Sequence, residues 1–87
     1  MPAMPLTSAQ IRAARALIRW TAEDLAREAL LGVTTVRRAE LMESETSLTQ
    51  ANDRAIRRAL EAAGVEFIDE NGSGPGVRLR KPPKASN

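Results

Sequence analysis

The chain has no cysteine, no histidine and no tyrosine, and only one tryptophan and one phenylalanine among its 87 residues. Without cysteine there are no disulfides, and with neither cysteine nor histidine a metal would have only carboxylates to bind. The same two absences remove the commonest general base and the strongest nucleophile available at neutral pH. No enzyme and no cofactor are therefore expected. Glu43 and Glu45 read as solvating residues of a polar loop rather than as a metal pair. Long apolar runs are also missing, since nothing approaches the ~18 residues of a membrane span. Met1 to Leu6 lacks a basic region followed by an apolar run, so a cytoplasmic protein without a secretory leader is expected. Glycines crowd only the segment GSGPG, Gly72 to Gly76, and a strand pattern follows them. A phosphate-cradling loop needs a helix there. No small-molecule site is evident.

What remains is one small domain with little net charge, +2, unevenly spread. Arginines crowd Arg12–Arg19, Arg37–Arg38 and Arg54–Arg58, and basic residues recur over Arg78–Lys84. Acidic residues crowd Glu40–Glu45 and Glu66–Glu70. Such segregation can make one face positive in a nearly neutral chain, and ordinary solvated helix faces are the alternative that charge alone does not displace. Small domains bury a modest share of their surface. With disulfides excluded and only carboxylates left as metal ligands, dimerisation is the most available further source of stability.

The pattern predicts four helices followed by a β-hairpin. Thr7 and Gln10 form a capping box ahead of apolar residues at Ile11, Ala14, Leu17 and Ile18, which predicts a helix over about 8–19. Thr21 opens a second helix over about 22–29, with Glu23 and Asp24 in its first turn. Gly32 is the N-cap of a third over about 33–41, with Val36, Ala39 and Leu41 inward. Thr49 caps a fourth over about 50–63, with Asn52, Ile56, Ala59, Leu60 and Ala63 inward. Gly64 then stands where a left-handed cap belongs. The period changes to two at Val65–Ile68 and again at Val77–Arg80, with the turn-rich DENGSGPG between them. In the second strand Val77 and Leu79 read as buried and Arg78 and Arg80 as a basic face. The domain organisation is a loose N-terminus (1–6), a helical domain (7–64), a hairpin extension (65–80) and a loose tail (81–87).

Two short helices joined by a tight turn make a helix-turn-helix, whose second helix enters the DNA major groove. That groove is about 12 Å wide and admits one helix. The leading end of such a helix goes deepest and needs small or polar residues, as Gly32, Val33, Thr34 and Thr35 are. Arg37 and Arg38 follow one turn later, where a guanidinium bonds guanine bidentately or grips a phosphate.

The run WTAEDLAREALLGVTTVRRAE, Trp20 to Glu40, resembles the helix-turn-helix of the XRE family, which includes the phage Cro and repressor proteins. Glu23, Asp24, Leu25 and Ala26 match its first part, and Gly32, Val33, Thr35, Val36, Arg37, Arg38 and Glu40 match its second. The segments AIRRALEAAGVEFID and NGSGPGVRLR are similar to a bacterial subset of small regulators with a short C-terminal extension. This resemblance implies transcriptional regulation through double-stranded DNA. It places Val33, Thr34 and Arg38 at base edges, and Thr21, Ala22, Thr35, Arg37, Thr49 and Asn52 at phosphates. It gives Leu25, Ala26, Ala29, Leu31, Val36 and Ala39 to the core. One departure stands out. The family has glycine at the turn, in a left-handed conformation, where this chain has Leu30. Leucine there implies a different turn or a different end to the second helix. A homodimer through helix 4 and the hairpin is expected, setting two recognition helices ~34 Å apart. The competing expectation is a protein-interaction module, antiactivator or antitoxin-like, on the same fold.

Overall fold

A computed structural model describes residues 5–41 and 48–80. The expectations for residues 1–4, for the polar connection at 42–47 with Glu43 and Glu45, and for the tail at 81–87 fall outside that range. The described chain is mainly helical, with four helices and a C-terminal antiparallel hairpin: α1 (Ser8–Ile18), α2 (Ala22–Ala29), α3 (Val33–Glu40), α4 (Gln50–Ala62), β1 (Val65–Ile68) and β2 (Gly76–Leu79). Among the described residues no helix is long and apolar enough to cross a membrane.

Three helices begin where a threonine oxygen meets an otherwise unbonded backbone N–H. Thr7 and Gln10 form the reciprocal capping box of α1, and Thr21 and Asp24 do the same for α2. Thr49 Oγ1 accepts from the Asn52 N–H at the start of α4. Each cap satisfies one of the donors that a helix start leaves open.

The ends of α1 and α2 are alike. Arg19 and Leu30 both take the left-handed conformation, at φ 58° and 59°. The residue after each closes a long bond back into the helix, Trp20 N to Arg15 O at 3.0 Å and Leu31 N to Ala26 O at 2.9 Å. This is the Schellman arrangement, in which the second residue past the helix contributes an apolar contact. Trp20 and Leu31 supply it, since both are partly buried against the core. The turn thus keeps the left-handed geometry that leucine was expected to forbid, and α2 ends where expected. The seating of Leu31 offsets the conformational cost at Leu30. The Leu30 side chain itself contributes no packing, being 89% exposed. Leu30→Gly is expected to stabilise the domain by about 1 kcal/mol, read as a raised thermal midpoint, because the strain disappears and no contact is lost.

The core gathers Leu6, Ile11, Leu25, Val36, Ile56, Leu60 and Val65, all fully buried, with alanines between them. Four leucines depart from the sequence pattern, and one of them, Leu17 in the apolar period of α1, is 38% exposed. Leu6, assigned to the loose N-terminus, is fully buried, and its N–H donates to Asp53 Oδ1 at 3.0 Å. Leu41, expected inside, is 81% exposed because α3 stops at Glu40 and the chain leaves the helix there. Leu79 is 49% exposed at the end of β2. That strand runs one residue earlier than expected, over 76–79.

Gly64, at φ 105°, turns α4 into β1, a conformation that glycine adopts without strain. Its carbonyl accepts from Arg80 N at 2.7 Å, which closes the hairpin base. Val65 pairs with Leu79 and Phe67 with Val77, so these four residues share one face. Gln10 of α1 ties down the far end, its amide donating to Gly76 O at 3.0 Å and Ile68 O at 3.3 Å.

Candidate nucleic-acid interface

Helix α3 is held from behind by α1. The Ser8 hydroxyl donates to the Ala39 carbonyl, and the Arg12 guanidinium donates to the Glu40 carbonyl. These are carbonyls that a helix end leaves without internal partners. Arg15 grips the Glu40 carboxylate with two bonds, Nε to Oε2 at 2.6 Å and Nη2 to Oε1 at 2.8 Å. Its third nitrogen, Nη1, donates to the Trp20 carbonyl at 2.8 Å. The bond to Glu40 outweighs the burial of Arg15 and keeps its guanidinium more firmly protonated than usual. Side chains of one helix thus fix the C-terminal turn of α3, and its outer face is left free.

The amino end of α3 differs from the other three starts. Gly32 provides no side-chain cap. The Gly32 carbonyl takes the Thr35 and Val36 N–H groups. Along the helix Thr34, Arg37 and Arg38 are exposed and Thr35 is half-buried. Val33, expected at a base edge, is partly buried and packs on the core, so it presents only part of its side chain outward.

Thr35 and Arg38 line one open depression of about 190 Å³ together with Ala39, Leu48, Thr49 and Asn52. The structure therefore brings four of the nine sequence-predicted residues to one place, across the seam between α3 and the capped start of α4. Among the described residues Arg38 has no ion-pair or hydrogen-bond partner. Arg37, its neighbour, is instead paired with Glu23 of α2.

Thr21 and Ala22 stand apart from the depression. The Thr21 N–H donates to Asp24 Oδ2 at 2.9 Å, and its hydroxyl oxygen accepts from the Asp24 N–H at 3.0 Å. Ala22 is buried. The Thr21 N–H, and after it the side chain of Arg27, hold the Asp24 carboxyl below its ordinary range. With Glu23 beside it, the start of α2 is already supplied with negative charge, which suits the helix dipole and leaves less attraction for an external anion.

Sequence reasoning did not identify the Glu23–Arg37 pair; for Glu40 it gives an arginine partner or a local cap without naming the arginine, which the structure shows to be Arg15. Both pairs join residues on different helices, and only the packing angle between those helices brings them together. The depression has the same character, because α3 and α4 are separated by the connection at 42–47.

The chain matches no family model, and no curated protein matches it.

Proposed function

We propose that this protein is a sequence-specific double-stranded DNA-binding regulator of transcription, of the XRE helix-turn-helix kind, acting in the cytoplasm. The observation that carries the reading is the outer face of α3, with an amino end that no side chain caps and, beside the capped start of α4, an Arg38 that has no partner among the described residues. That arrangement suits insertion into the major groove, with the helix start foremost. Thr34 and Arg38 face base edges, with the outer part of Val33 against a thymine methyl. Thr35, Thr49 and Asn52 hold flanking phosphates, and the α4 N-terminus adds its dipole. The half-exposed Leu79 and the hairpin, with α4, form the contact of a homodimer.

Selection from a random duplex library followed by sequencing tests the reading. A palindromic motif supports both DNA binding and the two-fold dimer. On the selected site Arg38→Ala is expected to cost roughly 1–3 kcal/mol and to relax the preference at one base pair. An equal loss on random duplex would make Arg38 a phosphate contact only. If no motif is enriched and binding is indifferent to salt, the reading fails, because phosphate contacts release counterions.

One observation favours the interaction-module reading. Leu30 and Leu41, both highly exposed, stand in sequence before the start of α3 and just past its end. A protein partner seated on them would bind with weak salt dependence, the opposite of the DNA result.

A further inference from the structure

The two arginines in the last turn of α3 are sequence neighbours with opposite circumstances. Arg38 has no partner among the described residues, whereas Arg37 Nη2 donates to the Glu23 carboxylate across the gap between α2 and α3. Both members of that pair are more than half exposed. Exposed pairs of this kind contribute little to folding stability. The pair changes the charge that α3 presents. Asp24, the other acidic residue in the first turn of α2, is already engaged by Thr21 and Arg27. Glu23 is therefore the carboxylate that decides whether Arg37 acts as a cation toward an approaching phosphate.

We infer that Glu23 is an affinity-setting residue, which holds Arg37 out of phosphate contact and so lowers the electrostatic, sequence-independent part of DNA binding. The inference rests on the DNA-binding reading and adds a regulatory consequence to it. A regulator with fewer phosphate contacts gives up affinity for every duplex equally and leaves its base contacts intact, so discrimination is kept while residence on non-cognate DNA falls. Arg37, which the family resemblance places at phosphate, is on this account a contact withheld by its neighbour on α2.

The test is a four-protein cycle of wild type, Glu23→Gln, Arg37→Ala and the double variant. Anisotropy of a labelled random-sequence duplex is followed between roughly 50 and 200 mM salt. Thermal melting of each variant confirms that it is folded. Glu23→Gln is expected to steepen the slope of log K against log salt by about 0.9, the value for one added phosphate contact, and to tighten binding about eightfold at 0.1 M salt. Arg37→Ala alone should leave the slope unchanged, and adding it to Glu23→Gln should erase the gain. The inference is overturned if Glu23→Gln leaves the slope unchanged. It is overturned equally if the gain survives in the double variant, which would mean that Glu23 merely repels DNA. A slope that flattens in Arg37→Ala alone would mean that Arg37 already touches phosphate. Wild-type binding that does not depend on salt removes the DNA-binding reading and this inference together. Wild-type binding that does depend on salt, with a flat cycle, removes this inference alone.

Discussion

Glu40→Ala is expected to destabilise the domain by about 3 kcal/mol, read as a fall in the denaturant midpoint without a change in slope. The Glu40 side chain is 8% exposed and that of Arg15 is 24% exposed. Removing the carboxylate leaves a guanidinium largely out of water with two of its donors unmatched. Breaking a buried pair from one side costs roughly 3–5 kcal/mol, most of it the penalty of the stranded charge. The partial exposure of Arg15 places this case at the lower end. Arg15→Ala should cost at least as much, because it strands the more deeply buried member and also removes the bond to the Trp20 carbonyl. Replacing both together, as Arg15→Met with Glu40→Leu, should recover most of the loss, since no charge is then left unpaired. A double variant as unstable as the singles would show that the pair is favourable in its own right. An 87-residue domain has about 5–10 kcal/mol of stability in total, so the single changes approach the limit of folding.

The same pair has a directional role. Arg15 and Arg12 of α1 reach Glu40, and Ser8 reaches Ala39, so three contacts from one helix converge on the last turn of α3. None of them touches Thr34, Thr35 or Arg38. The end of α3 that is fixed is thus opposite to the end that leads into a groove. On the proposed reading the clamp sets the angle of α3 and leaves the side chains of Thr34, Thr35 and Arg38 unengaged, although Arg38 stands in the clamped turn itself.

The elements were legible because each is announced by local chemistry. Thr7 with Gln10 and Thr21 with Asp24 mark helix starts through bonds that span three residues, and Gly64 marks a helix end through its own backbone. The hairpin follows from alternation and a glycine-rich turn. The mispredicted features depend on neighbours distant in sequence. Leu30 was judged by its own conformational cost, which is real, but the turn is decided by Leu31 seating on the core. Leu41 carried the right period for an inward residue, yet a period says nothing once the helix has stopped at Glu40. For the site, the exposed residues of α3 were readable from its period. Their meeting with Thr49 and Asn52, and the Glu23 partner of Arg37, follow from helix packing that no local pattern encodes.

The leucines offer a second large effect and its own control. Leu25→Ala is expected to cost roughly 2–5 kcal/mol, because Leu25 is fully buried among the core residues and its removal combines lost transfer energy with a cavity that close-packed neighbours fill only in part. It lies on α2, and the core cluster that contains it also contains Val36 of α3 and Ile56 and Leu60 of α4. A cavity there should loosen the seating of α3 and of the start of α4 along with the fold. Leu41→Ala removes the same atoms from a side chain that is 81% exposed, and should change stability by no more than about 0.5 kcal/mol. Equilibrium unfolding of both variants checks the contrast. Equal and large losses would mean that Leu41 is covered in solution, which its surroundings in the described chain do not provide, and a second copy or a protein partner would then have to cover it. Equal and small losses would mean that the core around Leu25 collapses onto the gap, and α3 would then have more freedom than its clamp by Arg15 implies.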